Sequence, residues 1–151
     1  MRIVMLGGTG QLGAILTRHS RRKGAQVTVF GREAFSSPEQ LAGGLEQSDV
    51  CINLAGRNVN CRYNEANRRA IYNSRVETTR LLNHVISSLK HPPRVWLNAS
   101  TATIYRHSLD RAMDESGELG GNEPGAPECW NFSIEVAKAW EEATHPTRGF
   151  R

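Results

Sequence analysis

Apolar positions divide this chain into short unbroken runs and longer periodic stretches. Ile3, Val4, Met5 and Leu6 form a wholly apolar run, the pattern of a strand buried on both faces of a parallel sheet. Leu12, Ile15, Leu16 and His19 then recur at helical spacing, with Gly24 at the expected stop. Gln26 to Phe30 reads as a second strand, which closes a parallel strand-helix-strand unit with a right-handed crossover. Ser36-Ser37-Pro38-Glu39 offers a capping-box start, with proline in the first turn, for a short helix running to about Glu46 despite Gly43 and Gly44. Val50 to Leu54 is another apolar strand, ending at Ala55-Gly56. From Asn64 the spacing predicts one long helix, with Ile71, Ser74, Thr78, Leu82, Val85 and Leu89 near one stripe, until Pro92-Pro93 stops it. Arg94 to Ser100 reads as a further strand. Residues 106–131, rich in Gly, Pro, Asp and Glu, predict a loop across the strand ends, and Phe132 to Ala143 a helix with Val136, Ala137 and Trp140 as apolar contacts.

The junction of the first strand and first helix carries the clearest chemistry. Gly7, Gly10 and Gly13 are spaced by three within Gly7-Gly8-Thr9-Gly10-Gln11-Leu12-Gly13. In a strand-turn-helix context the first glycine permits the tight turn, the second lets a phosphate approach the backbone, and the third lets helix and strand pack closely. Free amides and the positive dipole end of the helix then hold a pyrophosphate. A purely structural glycine turn is the alternative.

Composition narrows the setting. At 151 residues, one domain with a real core is expected. The first apolar run begins almost at residue 1 and no segment approaches the length of a membrane span, so an intracellular, by default cytoplasmic, protein is the expectation. Cys51, Cys61 and Cys129 are odd in number and widely spaced, which suggests reduced thiols and no zinc site. The net charge of +4 comes mostly from scattered arginines. Arg68, Arg69, Arg75 and Arg80 share one predicted helix, where a solvated face explains most of them. No nucleic-acid-binding motif is present, so neither nucleic acid nor membrane is an expected partner.

With the glycine motif, Asn53-Leu54-Ala55-Gly56 and Ser100-Thr101-Ala102-Thr103-Ile104-Tyr105 in hand, the chain resembles the extended and atypical short-chain dehydrogenase/reductases, and within them the "epimerase family" group related to NAD-dependent epimerase/dehydratases. Asn73-Ser74-Arg75, Phe132-Ser133 and Ala139-Trp140-Glu141-Glu142 extend the likeness over essentially the whole chain. The resemblance implies an α/β fold, a Rossmann-type parallel sheet with helices on both faces, which residues 1–151 would form as an NAD(P)-binding domain. Against the family plan the sheet looks incomplete. From Arg32 to Asp49 (49 − 32 = 17 steps) no β-branched run marks the usual third strand, and by the same resemblance the C-terminal strands and substrate domain are expected to be missing from these residues. A strand order of 2-1-4-5 in the family's numbering follows, with an apolar edge that a second copy would cover as a homodimer.

The same resemblance assigns a cofactor site. The end of the second strand meets the adenine ribose, where a carboxylate selects NAD and an arginine pairs with the 2′-phosphate of NADP. Gly31-Arg32 stands there, with Glu33 secondary, so NADP(H) is favoured over NAD(H); an Arg32 that merely faces solvent is the alternative. Leu54, Ala55 and Gly56 are placed against the adenosine and phosphates, with Arg75 reaching the same crevice or, alternatively, pairing with Glu77. The substrate, if any, would be a small carbonyl compound or sugar nucleotide.

For catalysis the family pattern fails. Relatives use a tyrosine with a lysine four residues later, the lysine lowering the tyrosine pKa. Here the only lysines are Lys23, Lys90 and Lys138, preceded at that spacing by His19, Ile86 and Ile134. Phe132-Ser133 occupies the tyrosine region, and Lys138 follows Phe132 by 138 − 132 = 6 residues, about 240° round a helix. Thr101 matches the hydroxyl residue that bonds the substrate oxygen in related epimerases, and Tyr105 is the second catalytic candidate. His107, Asp110, Asp114 and Glu115 lie near in sequence. Two readings follow: an NADP(H)-dependent epimerase or oxidoreductase, and a non-catalytic dinucleotide-binding sensor or interaction module.

Overall fold

A computed structural model of the chain describes residues 1–109, 111–121, 124 and 127–145. Four parallel strands, β1 (Arg2–Leu6), β2 (Gln26–Phe30), β3 (Val50–Asn53) and β4 (Val95–Asn98), form one sheet in the order β2-β1-β3-β4. The first crossover is α1 (Gln11–Arg22). A 3-10 turn (Arg32–Ser36) and α2 (Pro38–Leu45) make the second, so the stretch from Arg32 to Asp49 holds no strand and the sheet lacks the family's third. α3 (Glu65–Asn73) and α4 (Val76–Ser88) lead to β4, and α5 (Glu128–Glu142) follows a long loop in which Tyr105 bridges Leu119 antiparallel.

Because side chains alternate along a strand, the sheet has two unlike faces. Val4, Leu6 and Cys51 point to the side where Leu41 and Leu45 of α2 and Leu82, Val85 and Ile86 of α4 complete a fully buried core. Burial there pushes the Cys51 thiol from 9.0 up to about 12, so it stays protonated and packs as a small apolar group. On the opposite side Ile3 and Met5 are covered by α1 through Leu16. Val95 and Leu97, in register with Val50 and Ile52 on that side, remain 46% and 52% exposed, and Leu12 and Ile15 of α1 are exposed as well.

The exposure of Leu12 and Ile15 corrects the predicted stripe of α1. Gly13 and Thr17 are the buried positions of that helix, because the close approach at Gly13 fixes which face meets the sheet. The predicted long helix is also two. Ser74 and Arg75 form a turn in which the Ser74 hydroxyl donates to Ile71 O (2.9 Å) and Thr78 Oγ1 donates to Ser74 O (2.9 Å), so side chains take up carbonyls at the break. Beyond it the buried face runs through Val76, Thr79, Leu82, Asn83, Val85 and Ile86. Ser37 caps α2 by position only: no side-chain bond forms, and Pro38 supplies the preset first turn. α5 begins four residues before the predicted Phe132, with Ile134 added to its buried contacts.

Candidate functional site

After β1 the chain turns at Gly7, whose φ of +73° and close approach to the Leu54 carbonyl, 2.8 Å from where a Cβ would stand, admit only glycine. Gly10 caps α1. Its amide donates to Gly7 O (3.0 Å), and the first helical bond runs from Ala14 N to Gly10 O (2.8 Å). Between these lie the amides of Gln11, Leu12 and Gly13, with no side-chain cap and no acidic residue in the first turn, while His19, Arg21 and Arg22 occupy the last. The N-terminus therefore keeps its positive end uncompensated. A Cβ at Gly13 would fall 2.5 Å from Gly7 O and Gly8 Cα, so the helix rests directly on the turn. At Gly10 an added Cβ meets only Gly7 O, at 3.3 Å, which leaves its outer side open.

This turn forms one end of a cleft of about 450 Å³, within the usual size of small-molecule sites. Gly7, Thr9 and Gly10 line it together with Gly31 and Arg32 after β2 and Leu54, Ala55 and Gly56 after β3. Phe35, Arg57, Asn73, Ser74 and Thr78 complete the wall. Of the residues singled out from sequence, Gly8, Gln11, Leu12, Gly13 and Arg75 do not line it: Gly8 packs on Val29, Gly13 lies beneath the turn, and Gln11 and Leu12 are exposed. Glu33 folds back to accept the Gly31 N–H (3.1 Å), whereas the Arg32 guanidinium has no ion pair or hydrogen bond among the described residues.

The wall after β3 is held by a buried polar network centred on Asn53, which is 0% exposed. Its Oδ1 accepts the Ala55 N–H (3.1 Å), and its Nδ2 donates to Asn98 Oδ1 (2.7 Å) and Thr79 Oγ1 (3.2 Å). Thr79 Oγ1 also accepts from the Trp140 indole (3.0 Å), so two strand ends, α4 and α5 are joined through one amide. Each side chain is satisfied by another, as buried polar groups must be. Farther out, the Ser74 hydroxyl accepts the Arg57 N–H (3.0 Å), which ties the loop after Gly56 to the break between α3 and α4.

A second cavity of about 380 Å³ lies between that break and α5. Tyr63, Arg75, Thr101, Phe132, Ser133 and Trp140 are among its walls. Arg75 belongs here rather than in the glycine cleft, and it does not pair with Glu77, which binds Arg80 (2.7 Å). Its guanidinium lies over the Trp140 ring at 5.3 Å, behind Gly56, where an added Cβ would come within 3.3 Å of Cζ. The turn at Ser74 redirects the chain and sends this side chain toward α5. Thr101 reaches the cavity with Oγ1 3.1 Å from Thr103 Oγ1. Tyr105 does not join it, because its backbone pairs with Leu119 and its ring packs against Gly117. Nor do the nearby acids. Ser116 donates from hydroxyl (2.6 Å) and amide (2.9 Å) to Asp114, which holds that exposed carboxyl below its ordinary range and keeps it ionised. Glu115 is exposed, His107 packs edge-on against Trp130, and Asp110 lies outside the described residues. Phe132 lines the cavity edge-on to Tyr63, while Lys138 is exposed beside Gly121.

The sequence reading missed Asn53, Tyr63 and Trp140 as parts of the site. A signal existed for the first: the strands Val50 to Asn53 and Val95 to Asn98 are both apolar runs closed by asparagine, and the two asparagines are register partners. Among the described residues, no helix is long and apolar enough to cross a membrane, and no three His, Cys, Asp or Glu side chains gather as a metal site would require.

Known proteins share this arrangement. Residues 3–126 match the NAD dependent epimerase/dehydratase family. The chain is 33% identical over 150 residues to the mouse epimerase family protein SDR39U1, covering 95% of this chain and 48% of the relative. It is 30% identical over 155 residues to the Bacillus subtilis epimerase family protein YfhF, covering 94% and 48%. Among solved structures, human epimerase family protein SDR39U1 (isoform 2) with NADPH superposes with a TM-score of 0.80 at 28% identity, over 99% of this chain and 50% of that one. The nucleoside-diphosphate sugar epimerase from Corynebacterium glutamicum follows at 0.74 and 26%, over 97% and 30%. The chain thus spans about half the length of the curated relatives it matches. With the glycine turn, the parallel sheet and this likeness over nearly its whole length, the chain belongs to the NAD-dependent epimerase/dehydratase family.

Proposed function

We propose that the glycine cleft holds NADP(H) and that the chain is the dinucleotide-binding part of a short-chain dehydrogenase/reductase-like protein acting on a small carbonyl compound or sugar nucleotide. The observation that carries this reading is the uncapped start of α1, which has free amides and no acidic neighbour above the open side of Gly10. Such a terminus suits a diphosphate, and each glycine stands where a side chain would collide with the turn or fill the phosphate position. Arg32 at the cleft, unpaired and with Glu33 turned onto the backbone, supports NADP(H) over NAD(H). The NADPH in the human relative agrees with that preference.

When bound, the nicotinamide supplies hydride exchange. The chain contributes a rigid wall at Leu54, Ala55 and Gly56, fixed by Asn53, and the Thr101 hydroxyl in the adjoining cavity as a hydrogen-bonding group for a substrate oxygen. A second reading, a non-catalytic dinucleotide-binding sensor, is favoured by the absence of a Tyr-Lys pair and by an exposed Lys138 remote from Phe132. Titration with NADPH by calorimetry tests the cleft, and NADPH oxidation against a carbonyl panel separates the readings. Binding with turnover supports the enzyme; binding without turnover supports the sensor; no heat with either nicotinamide coenzyme overturns both. The bare apolar edge at Val95 and Leu97 supports a second copy as partner, and light scattering showing a monomer at high concentration overturns that part.

A further inference from the structure

Arg75 differs from the other arginines placed on or near its helices. Arg68 pairs with Glu128 (2.7 Å), Arg69 with Glu65 (3.0 Å) and Arg80 with Glu77 (2.7 Å). Arg75, half-buried, has no carboxylate within ion-pair distance among the described residues. Its two hydrogen bonds, from Nη1 to Ile71 O (3.5 Å) and to Ser74 Oγ (3.4 Å), lie at the outer limit of such contacts and leave most of its five donors unused. A guanidinium taken partly out of water without a counter-charge is an unfavourable arrangement that proteins retain where a ligand supplies the charge.

The surroundings point the same way. Among the described residues, Arg75 is the one cation lining the second cavity, and none of the lining residues is acidic. Burial lowers the Arg75 pKa, and the Tyr63 phenol acts in the opposite direction. Two carboxylates of α5 already have partners: Glu128 pairs with Arg68, and Glu141 accepts from the hydroxyl of Ser100, itself a lining residue. Phe132, Val136 and Trp140 give the cavity an apolar side suited to the body of a small molecule. Tyr63 and Ser133 also line it, the Ser133 hydroxyl donating to Cys129 O (2.9 Å).

We propose that the second cavity binds the anionic group, carboxylate or phosphate, of a small substrate, with Arg75 as its counter-charge. This rests on the reading of the adjoining cleft as the dinucleotide site, because the cavities meet across Gly56 and the anion would anchor the molecule on which the nicotinamide acts. Arg75 is then a specificity residue: its planar donors suit bidentate recognition of either oxyanion.

The test uses the full chain, titrated with benzoate, phenyl phosphate and neutral benzyl alcohol, with and without saturating NADPH. The indole N–H resonance of Trp140, which the Arg75 guanidinium covers, serves as the local probe. Benzoate or phenyl phosphate is expected to shift that resonance saturably and benzyl alcohol to leave it in place; the better anion of the two tells carboxylate from phosphate. Arg75→Met is expected to weaken the better anion at least tenfold and to change NADPH affinity less than twofold. Arg75→Lys, which keeps the charge and guards against a folding defect in the first variant, is expected to retain binding in weakened form. Anion binding unchanged in Arg75→Met, equal response to the neutral alcohol, or loss of NADPH affinity in place of anion affinity would each overturn the proposal. If wild-type protein binds the anion but neither coenzyme, the anion site stands and the dinucleotide reading falls.

Discussion

The glycine cleft and the second cavity share a wall at Gly56, yet they are made of different parts of the chain and should fail differently. The first is shaped mainly by backbone: a left-handed Gly7, an open Gly10, a helix resting on Gly13 and the peptide groups after β3. The second is shaped by side chains from four separate segments, residues 59–63, 71–75, 100–103 and 132–140. A backbone cradle tolerates almost no added atom at its glycines but is indifferent to most side chains around it. A side-chain cavity behaves in the opposite way, since any one residue can change what it accepts without harming the fold beneath.

The largest effect expected from that contrast is at Gly13. In Gly13→Ala the new Cβ meets Gly7 O and Gly8 Cα at 2.5 Å, so α1 must lift from the turn. NADPH affinity should fall by more than about a hundredfold and stability by about 1–3 kcal/mol, the usual range for overpacking. Calorimetry and urea unfolding check it; an unaltered affinity would show that the turn is less rigid than its geometry implies.

Asn53→Ala attacks the place where the two sites depend on each other. It leaves the Ala55 N–H and the Asn98 side-chain Oδ1 without their partner and loosens Thr79 under Trp140. A loss of about 2–4 kcal/mol is expected from the buried groups left unsatisfied, with both cavities affected together. If only one cavity responds, the network does not couple them.

Arg32→Ala sharpens the comparison from the cleft side, where a side chain does matter. NADPH should weaken about ten- to a hundredfold, the worth of charge-assisted bonds to a phosphate, while NADH changes little. An unchanged ratio of the two affinities removes Arg32 from the 2′-phosphate. The smallest change is expected for Tyr105→Phe, whose ring packs on Gly117 outside both cavities. Coenzyme affinity and anion binding should stay within about 0.5 kcal/mol of wild type, as for a surface substitution; a larger effect on either would return Tyr105 to the site.

The same contrast explains what could be read from sequence. The glycine turn, the strand Gln26 to Phe30 and the missing third strand are local patterns, written in consecutive residues whose periodicity and spacing follow from backbone geometry. The second cavity is not local. Nothing near Arg75 in sequence says that Trp140 will lie under its guanidinium, and sequence proximity wrongly grouped Tyr105 with Thr101. The break at Ser74 escaped for a related reason: Ile71, Thr78 and Leu82 keep helical spacing across it, while the hydroxyl bonds that bend the chain involve residues compatible with an unbroken helix. Leu12 and Ile15 misled because α1 is oriented by a glycine contact, which outranks the preference of two apolar side chains for burial.

The half-bare face of the sheet has a practical outcome. Leu12, Ile15, Val95 and Leu97 are each about half exposed in the native state, apolar surface of the kind that attracts the solvatochromic dyes used to follow melting. Such a dye should already fluoresce with the intact fold at room temperature, so its brightness would report these exposed side chains before any unfolding begins, and circular dichroism would give the cleaner melting curve.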